Sequence, residues 1–167
     1  MGALGIERVT NGDFSSGTGW TDASGAPATL TISGGVAVLT STGATFAKLQ
    51  TSITTVANST NLVRLDVSAI TSGALNVRVG TAVGLADIGT TNISTTGTAK
   101  QLFFVATGTT TYFEFRFGSA GAVTIDNVSG KQYSGVHLTQ ATTANKPLER
   151  RGMFNELLNS ATPATQS

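Results

Sequence analysis

The sequence has no cysteine, one histidine and few charged side chains, which make up 11% of its 167 residues. The absence of cysteine excludes a disulfide scaffold, a thiolate zinc site and a cysteine nucleophile. Acid–base catalysis needs pairs of titratable side chains whose pKa values are pushed apart, and the carboxylates here are sparse and scattered. We therefore expect a protein that is not an enzyme.

An excess of one charge sign and long apolar runs are also missing. Ten Lys and Arg stand against nine Asp and Glu, for a net charge of +1. This balance gives no strong positive field to attract phosphates, so nucleic acid is not expected as a partner. No apolar run approaches the roughly 18 residues of a membrane span, so no membrane partner is expected either. The length suits one domain of about 100 to 150 residues with an appendage.

What is present is glycine, 20 residues of it, together with many threonines. Threonine is β-branched and favours strands, whereas glycine suits turns that need positive φ. Strand-like runs separated by turn residues are typical of a sandwich or barrel, so we predict an all-β protein with about nine strands. The predicted strands are residues 4–10, 28–33, 36–41, 44–51, 62–70, 74–80, 100–106, 110–117 and 122–128.

Local patterns sharpen this prediction at three places. Gly34-Gly35 between two strand-like runs predicts a type I′ hairpin turn. In residues 111–117 three phenylalanines alternate with Tyr112, Glu114 and Arg116, which predicts one buried and one polar side of a strand. Residues 81–98, rich in Gly, Thr, Ala and Asn, are expected to form an ordered loop at best.

The polar positions of three predicted strands form a candidate binding face. We expect them to share one sheet and to contact a neighbouring protein or a saccharide. The alternative is a solvated sheet face with cross-strand ion pairs. The seven candidates are Arg64, Asp66, Asn76, Arg78, Tyr112, Glu114 and Arg116.

Two motifs frame the body of the chain, VTNGDFSSGTGW at residues 9–20 and VTIDNV at residues 123–128. Together they resemble the galactose-binding-like jelly rolls, particularly the family 4/9/22-type carbohydrate-binding modules. The resemblance implies a jelly-roll β-sandwich over about residues 5 to 130, with Phe14 and Trp20 plugging its end. It also implies a structural calcium ion held by Asp126 with main-chain carbonyls of the opening segment, and Asp13 is the only other obvious carboxylate in the two motifs. The alternative is that no cofactor is bound and that Asp126 accepts hydrogen bonds from nearby backbone amides.

The character of the sequence changes after residue 130, so we predict a jelly-roll domain over residues 1–130 and an extended C-terminal arm over residues 131–167. Residues 153–159 could form about two helical turns with one apolar side. We expect the arm to become ordered on an adjacent subunit. Its candidate contact residues are Leu148, Arg150, Arg151, Met153, Phe154, Leu157 and Leu158.

Residues 137–147, HLTQATTANKP, resemble segments of tailed-phage virion proteins that sit beside jelly-roll or lectin-like domains, with Lys146 in place of the usual Arg. This resemblance implies a non-enzymatic virion accessory protein, located in the virion, that decorates a capsid or tail or attaches a fibre. Its partners would be other virion proteins and further copies of itself. The alternative is a carbohydrate-binding module that recognises cell-surface or cell-wall glycans.

Overall fold

The structure is a computed structural model that describes residues 3–134 of the 167-residue chain. These residues form eleven strands, and no helix occurs among them. No helix in this part of the chain is therefore long and apolar enough to cross a membrane. The strands are β1 (Ala3–Glu7), β2 (Thr21–Asp22), β3 (Thr29–Ser33), β4 (Val36–Ser41), β5 (Ala47–Thr54), β6 (Thr60–Ile70), β7 (Leu75–Gly80), β8 (Gly89–Ile93), β9 (Gly97–Val105), β10 (Thr110–Phe117) and β11 (Gly121–Ser134).

The strands form two antiparallel sheets that pack face to face. The first sheet has the order β3-β4-β11-β6-β9, and β1 pairs with the last residues of β11. The second sheet has the order β2-β5-β10-β7-β8. Most strands that are neighbours in a sheet are distant in sequence; β11, for example, lies between β4 and β6. The fold is thus the all-β jelly-roll sandwich that the sequence predicts.

The core lies between the sheets and follows the predicted alternation. On β10, Phe113, Phe115 and Phe117 are each 1% exposed or less, while their neighbours along the strand point outward. The odd-numbered residues 63–67 on β6 and 75–79 on β7 are buried in the same way. Because side chains alternate between the two sides of a strand, burial of one set leaves the other on the outer face of its sheet.

The predicted hairpin is present, and the two aromatic residues predicted to plug the end of the sandwich pack against each other. Gly34 and Gly35 both have positive φ and join β3 to β4 with Ser33 opposite Val36, as a type I′ turn requires. Phe14 is 1% exposed, and its ring centroid lies 4.9 Å from that of the partly buried Trp20. The Trp20 indole donates a 2.9 Å hydrogen bond to the Asn11 carbonyl, which satisfies its one polar atom.

The strands differ from the predicted ones at several boundaries, and two of the eleven, β2 and β8, have no predicted counterpart. Residues 81–98 are not only loop, because Gly89–Ile93 forms β8 and pairs with β7 along its whole length. The last strand, β11, continues to Ser134, so residues 131–134, assigned to the arm, pair within the first sheet. The predicted helix at 153–159 and the rest of the arm lie outside the described residues.

Candidate functional site

The outer side of the second sheet is covered by polar side chains, and we call it the polar face. Its residues come from four neighbouring strands and are paired in register, so they form rows that run across the sheet. One row is Gln50–Glu114–Arg78–Thr90 and the next is Lys48–Arg116–Asn76–Asn92. A third, shorter row is Ser52–Tyr112–Gly80.

Five of the seven predicted site residues lie on this polar face, but the expectation that all seven share a sheet is wrong. Arg64 and Asp66 belong to β6, in the first sheet, and lie on the outer side of that sheet. The period-two pattern of β6 correctly indicates which side chains point outward. It contains no information about which sheet the strand joins, because pairing is set by contacts distant in sequence.

Glu114 lies in the middle of the polar face and is only 3% exposed. Its Oε1 accepts a 3.0 Å hydrogen bond from Arg78 Nη1, and its Oε2 accepts a 2.6 Å hydrogen bond from Gln50 Nε2. A buried carboxylate is tolerated when it is paired and hydrogen-bonded in this way. Glu114 therefore holds one cation and one amide in fixed positions on the sheet.

The β7–β8 loop, residues 81–88, covers one end of the polar face. The Leu85 carbonyl lies directly over Gly80, and Gly84 approaches Glu114 Oε2. The loop is itself held by Asp87, whose carboxylate accepts hydrogen bonds from the Thr81 hydroxyl and the Thr81 amide. Both bonds lower the pKa of Asp87, and the bond from the hydroxyl has the larger effect. The covered end explains the burial of Glu114, and it leaves the opposite end open.

At the open end, the second row borders a cleft of about 470 Å³, which we call the Arg116 cleft. The guanidinium carbon of Arg116 lies 3.5 Å from the centroid of the Phe46 ring. Asn76 Nδ2 donates hydrogen bonds to Thr90 Oγ1 at 3.0 Å and to Asn92 Oδ1 at 2.9 Å. The cleft is lined by Phe46, Ala74, Asn76, Asn92, Arg116, Gly118 and Ser119.

A second cleft, of about 480 Å³, lies on the outer side of the first sheet. Burial raises the pKa of Glu7, but hydrogen bonds from the Ser129 hydroxyl and from three backbone amides outweigh it, and the pKa is lowered. The pKa of Asp66 is lowered by hydrogen bonds from the Ala99 amide and from Asn127. The lining residues are Leu4, Glu7, Val9, Gly12, Asp13, Leu62, Arg64, Asp66, Asn127, Val128, Ser129 and Lys131.

The two carboxylates predicted to hold calcium have separate local partners. Asp13 Oδ1 accepts hydrogen bonds from the amide and the hydroxyl of Ser15, and Asp126 accepts hydrogen bonds from the amide and the side chain of Asn127. Within residues 3–134 no group of three or more His, Asp or Glu side chains is placed to hold a metal ion. Each carboxylate thus has hydrogen-bond partners close to it in sequence, and calcium binding stays a prediction.

Sequence reasoning missed several residues of the site, among them Phe46, Lys48, Gln50 and Asn92. The alternation of β5, where Ala47, Leu49 and Ile53 are buried, could have indicated Lys48 and Gln50 as outward-facing. No local signal marks Phe46 or Asn92. The predicted arm contacts, from Leu148 to Leu158, lie outside the described residues and stay predictions.

No protein-family model and no curated protein matches the sequence. Solved structures do match. A CBM4 carbohydrate-binding module is 16% identical at a TM-score of 0.53, over 74% of this chain and 99% of that one. TmCBM61, solved in complex with β-1,4-galactotriose, is 10% identical at a TM-score of 0.55, over 76% of this chain and 99% of that one.

The enzymatically active domain of bacteriophage CBA120 tailspike protein 4 is also similar, at 17% identity and a TM-score of 0.58. The match covers 76% of this chain but only 21% of the tailspike chain. At such identities the similarities establish the fold alone. The chain has the jelly-roll fold of carbohydrate-binding modules.

Proposed function

We propose that residues 3–134 form a non-catalytic module that binds a saccharide on the polar face. The observation that carries the proposal is the pair of polar rows, which cross four neighbouring strands and are open at one end. The jelly-roll fold shared with carbohydrate-binding modules supports the same proposal.

The side chains of the rows have the chemistry that sugar hydroxyls require. A hydroxyl both donates and accepts hydrogen bonds, and so does the amide of Asn76, Asn92 or Gln50. Glu114 fixes Gln50 and Arg78, and Asn76 is fixed by Thr90 and Asn92. Because these side chains are already ordered, binding a sugar to them would cost less conformational entropy than binding it to mobile side chains.

The polar face also offers apolar surface for the C–H groups of a sugar ring. Phe46 is 42% exposed beside the open end, and Tyr112 is half-buried on the central strand. An aromatic ring with one accessible surface combines a large contact area with few rotatable bonds. Ligand sites typically combine such surface with a few fixed polar groups.

The test is a glycan array and titration calorimetry with the full chain and a double variant, Asn76→Ala with Asn92→Ala. Among the described residues these amides bond one another, Thr90 and the neighbouring Thr91 carbonyl, all on the outer side of the sheet, so the variant should fold with little loss of stability. We expect at least a fivefold loss of affinity, since ligand hydrogen bonds each contribute about 0.5–1.5 kcal/mol. The matched control is Gln101→Ala, an exposed amide on β9 of the first sheet.

Binding that falls in the double variant and persists in the control supports the polar face as the site. A folded chain that binds nothing on an array of neutral and acidic glycans contradicts the proposal. Repeating the titration with a chelator tests the predicted calcium ion separately, because a calcium-dependent site would lose affinity when the metal is removed.

A second proposal concerns where such a module works: in a phage virion, as an accessory protein on a capsid, tail or fibre. The similarity to a bacteriophage tailspike supports it, as does the resemblance of residues 137–147 to virion segments. In this proposal the arm binds other virion proteins and copies of the same chain. Mass spectrometry of phage particles from the source of the sequence should detect the chain at a fixed copy number; its absence from them contradicts the proposal.

A further inference from the structure

We infer that the Arg116 cleft binds the carboxylate group of an acidic saccharide. This inference rests on the proposed saccharide-binding function and names the class of its ligand. It draws on three observations: the position of the Arg116 guanidinium, the balance of charge on the polar face, and the hydrogen-bonding atoms that the neighbouring asparagines leave available.

The Arg116 guanidinium is held by stacking, not by hydrogen bonds. Its central carbon lies 3.5 Å from the Phe46 ring centroid, and the Phe46 ring in turn lies against Gly118. Arg116 Nε is buried without a hydrogen-bond partner in residues 3–134, and no other hydrogen bond from the side chain occurs within that range. Stacking on an aromatic ring fixes the plane of a guanidinium while leaving its terminal Nη donors available.

The charges on the polar face leave two cations without a counter-ion. Residues 3–134 contain two ion pairs, Arg78 with Glu114 and Lys131 with Glu7. Lys48 lies directly across from Arg116 on β5, and neither is paired with a carboxylate in that part of the chain. Glu114 is the one acidic side chain in the rows, and Arg78 neutralises it.

The carboxylates at the two edges of the second sheet accept hydrogen bonds from residues close to them in sequence. Asp22, on β2, accepts a 2.8 Å hydrogen bond from the Ser24 amide. Asp87, on the covering loop, accepts hydrogen bonds from Thr81. The two rows contain three cations, Lys48, Arg78 and Arg116, against the one carboxylate of Glu114, so their net charge is positive, although the whole chain has a net charge of only +1. Such local excess attracts an anionic ligand.

The neighbouring asparagines supply the hydrogen bonds that a sugar acid needs beside its carboxylate. Asn76 uses its Nδ2 on Thr90 and Asn92, which leaves Asn76 Oδ1 as an acceptor and Asn92 Nδ2 as a donor toward the cleft. A guanidinium binds the two oxygens of a carboxylate with two parallel N–H···O bonds, and the planar geometries match. A uronic acid or a sialic acid offers this carboxylate together with ring hydroxyls.

The experiment is titration calorimetry of the full chain with pairs of ligands that differ only in charge. Trigalacturonate is compared with its methyl ester, and sialyllactose with its own methyl ester, so the two arms separate a uronate from a sialate source. We expect at least one acidic ligand to bind ten or more times more tightly than its neutral counterpart. Arg116→Gln should reduce that affinity about tenfold, and Arg116→Lys should lose less.

The matched control is Arg64→Gln, which removes the same charge from an exposed arginine on the first sheet and should leave affinity unchanged. If Arg116→Gln lowers the melting temperature too far for titration, Lys48→Gln removes the neighbouring charge and should also weaken binding of the acidic ligand.

Each remaining outcome has a distinct meaning. Equal affinity for acidic and neutral ligands, unaffected by Arg116→Gln, overturns the carboxylate inference but leaves saccharide binding in place. A sulfated oligosaccharide that binds more tightly than every carboxylate, and that depends on Arg116, also overturns the carboxylate assignment. A folded chain that binds no saccharide at all overturns the proposed function and this inference together.

Discussion

The outer faces of the two sheets use their charged side chains in opposite ways. On the first sheet the carboxylates of Glu7 and Asp66 bind backbone amides, so that they tie strands and a bulge together. On the second sheet the one carboxylate of the polar rows, Glu114, binds the side chains of Gln50 and Arg78, and the cations of the next row, Lys48 and Arg116, have no carboxylate partner within residues 3–134. In a chain with few charges, charged side chains on one face can thus stabilise the fold while those on the other face are available to a ligand.

The bulge on the first sheet shows why its charges are needed there. The register of β11 against β6 shifts between Asp126 and Ser129, and Asn127 adopts a positive φ of 51°. Such a bulge leaves backbone amides without strand partners, and the Glu7 carboxylate accepts a 2.8 Å hydrogen bond from one of them, Gly130 N. Substitutions on this face should therefore change the stability of the fold, whereas substitutions on the polar face should change the affinity for a ligand.

The largest effect is expected at Gly12, beneath the bulge. Val128 N donates a 2.8 Å hydrogen bond to the Gly12 carbonyl, and a Cβ at Gly12 would overlap the Val128 carbonyl oxygen. We expect Gly12→Ala to lower the free energy of unfolding by about 3 kcal/mol, measured by urea denaturation. The control is Gly17→Ala, where a Cβ has open space. Equal stability of the two variants would contradict this account of the bulge.

A smaller effect, dependent on pH, is expected at Glu7. Its pKa in the folded chain lies below the ordinary value of 4.5, so its stabilisation is present above about pH 4.5 and is lost as the pH falls through the folded pKa. We expect Glu7→Gln to lower the free energy of unfolding by about 1 kcal/mol at neutral pH, a figure reduced because the side chain is 40% exposed.

The measurement is the melting temperature of both chains from neutral pH to about pH 3. The difference between them should shrink as the pH falls, because protonation removes from Glu7 the charge that the substitution also removes. A difference that is constant with pH would show that the Glu7 charge does not serve the bulge, and it would remove one side of the comparison between the sheets.

How far the sequence predicts this arrangement depends on whether the signal is local. The alternation in residues 111–117 correctly separates the buried phenylalanines from Tyr112, Glu114 and Arg116, because the side of a strand is fixed by a period of two. The hairpin at Gly34-Gly35 is likewise determined by two adjacent residues. In both cases a few neighbouring positions contain all the information required.

Features that depend on distant contacts could not be predicted in this way. Gly89–Ile93 has no apolar alternation and buries only Ile93, since an edge strand needs little core, so the sequence gives it the appearance of a loop. The stacking of Arg116 on Phe46 depends on the loop before β5 meeting the end of β10, and no local pattern shows that contact. The ligand-binding end of the polar face is thus the part that the structure adds.

The smallest expected effect concerns ligand binding at the Arg116 cleft. A methyl group at Gly118 would overlap the Phe46 ring and displace it from beneath the Arg116 guanidinium. Because a cation–π contact contributes about 0.5–1 kcal/mol at exposed sites, we expect Gly118→Ala to weaken binding of an acidic saccharide about threefold. Gly108→Ala, where a Cβ contacts nothing, is the control. Calorimetry that finds unchanged affinity in a folded Gly118→Ala chain would show that Phe46 does not position Arg116, and binding would then depend on charge alone.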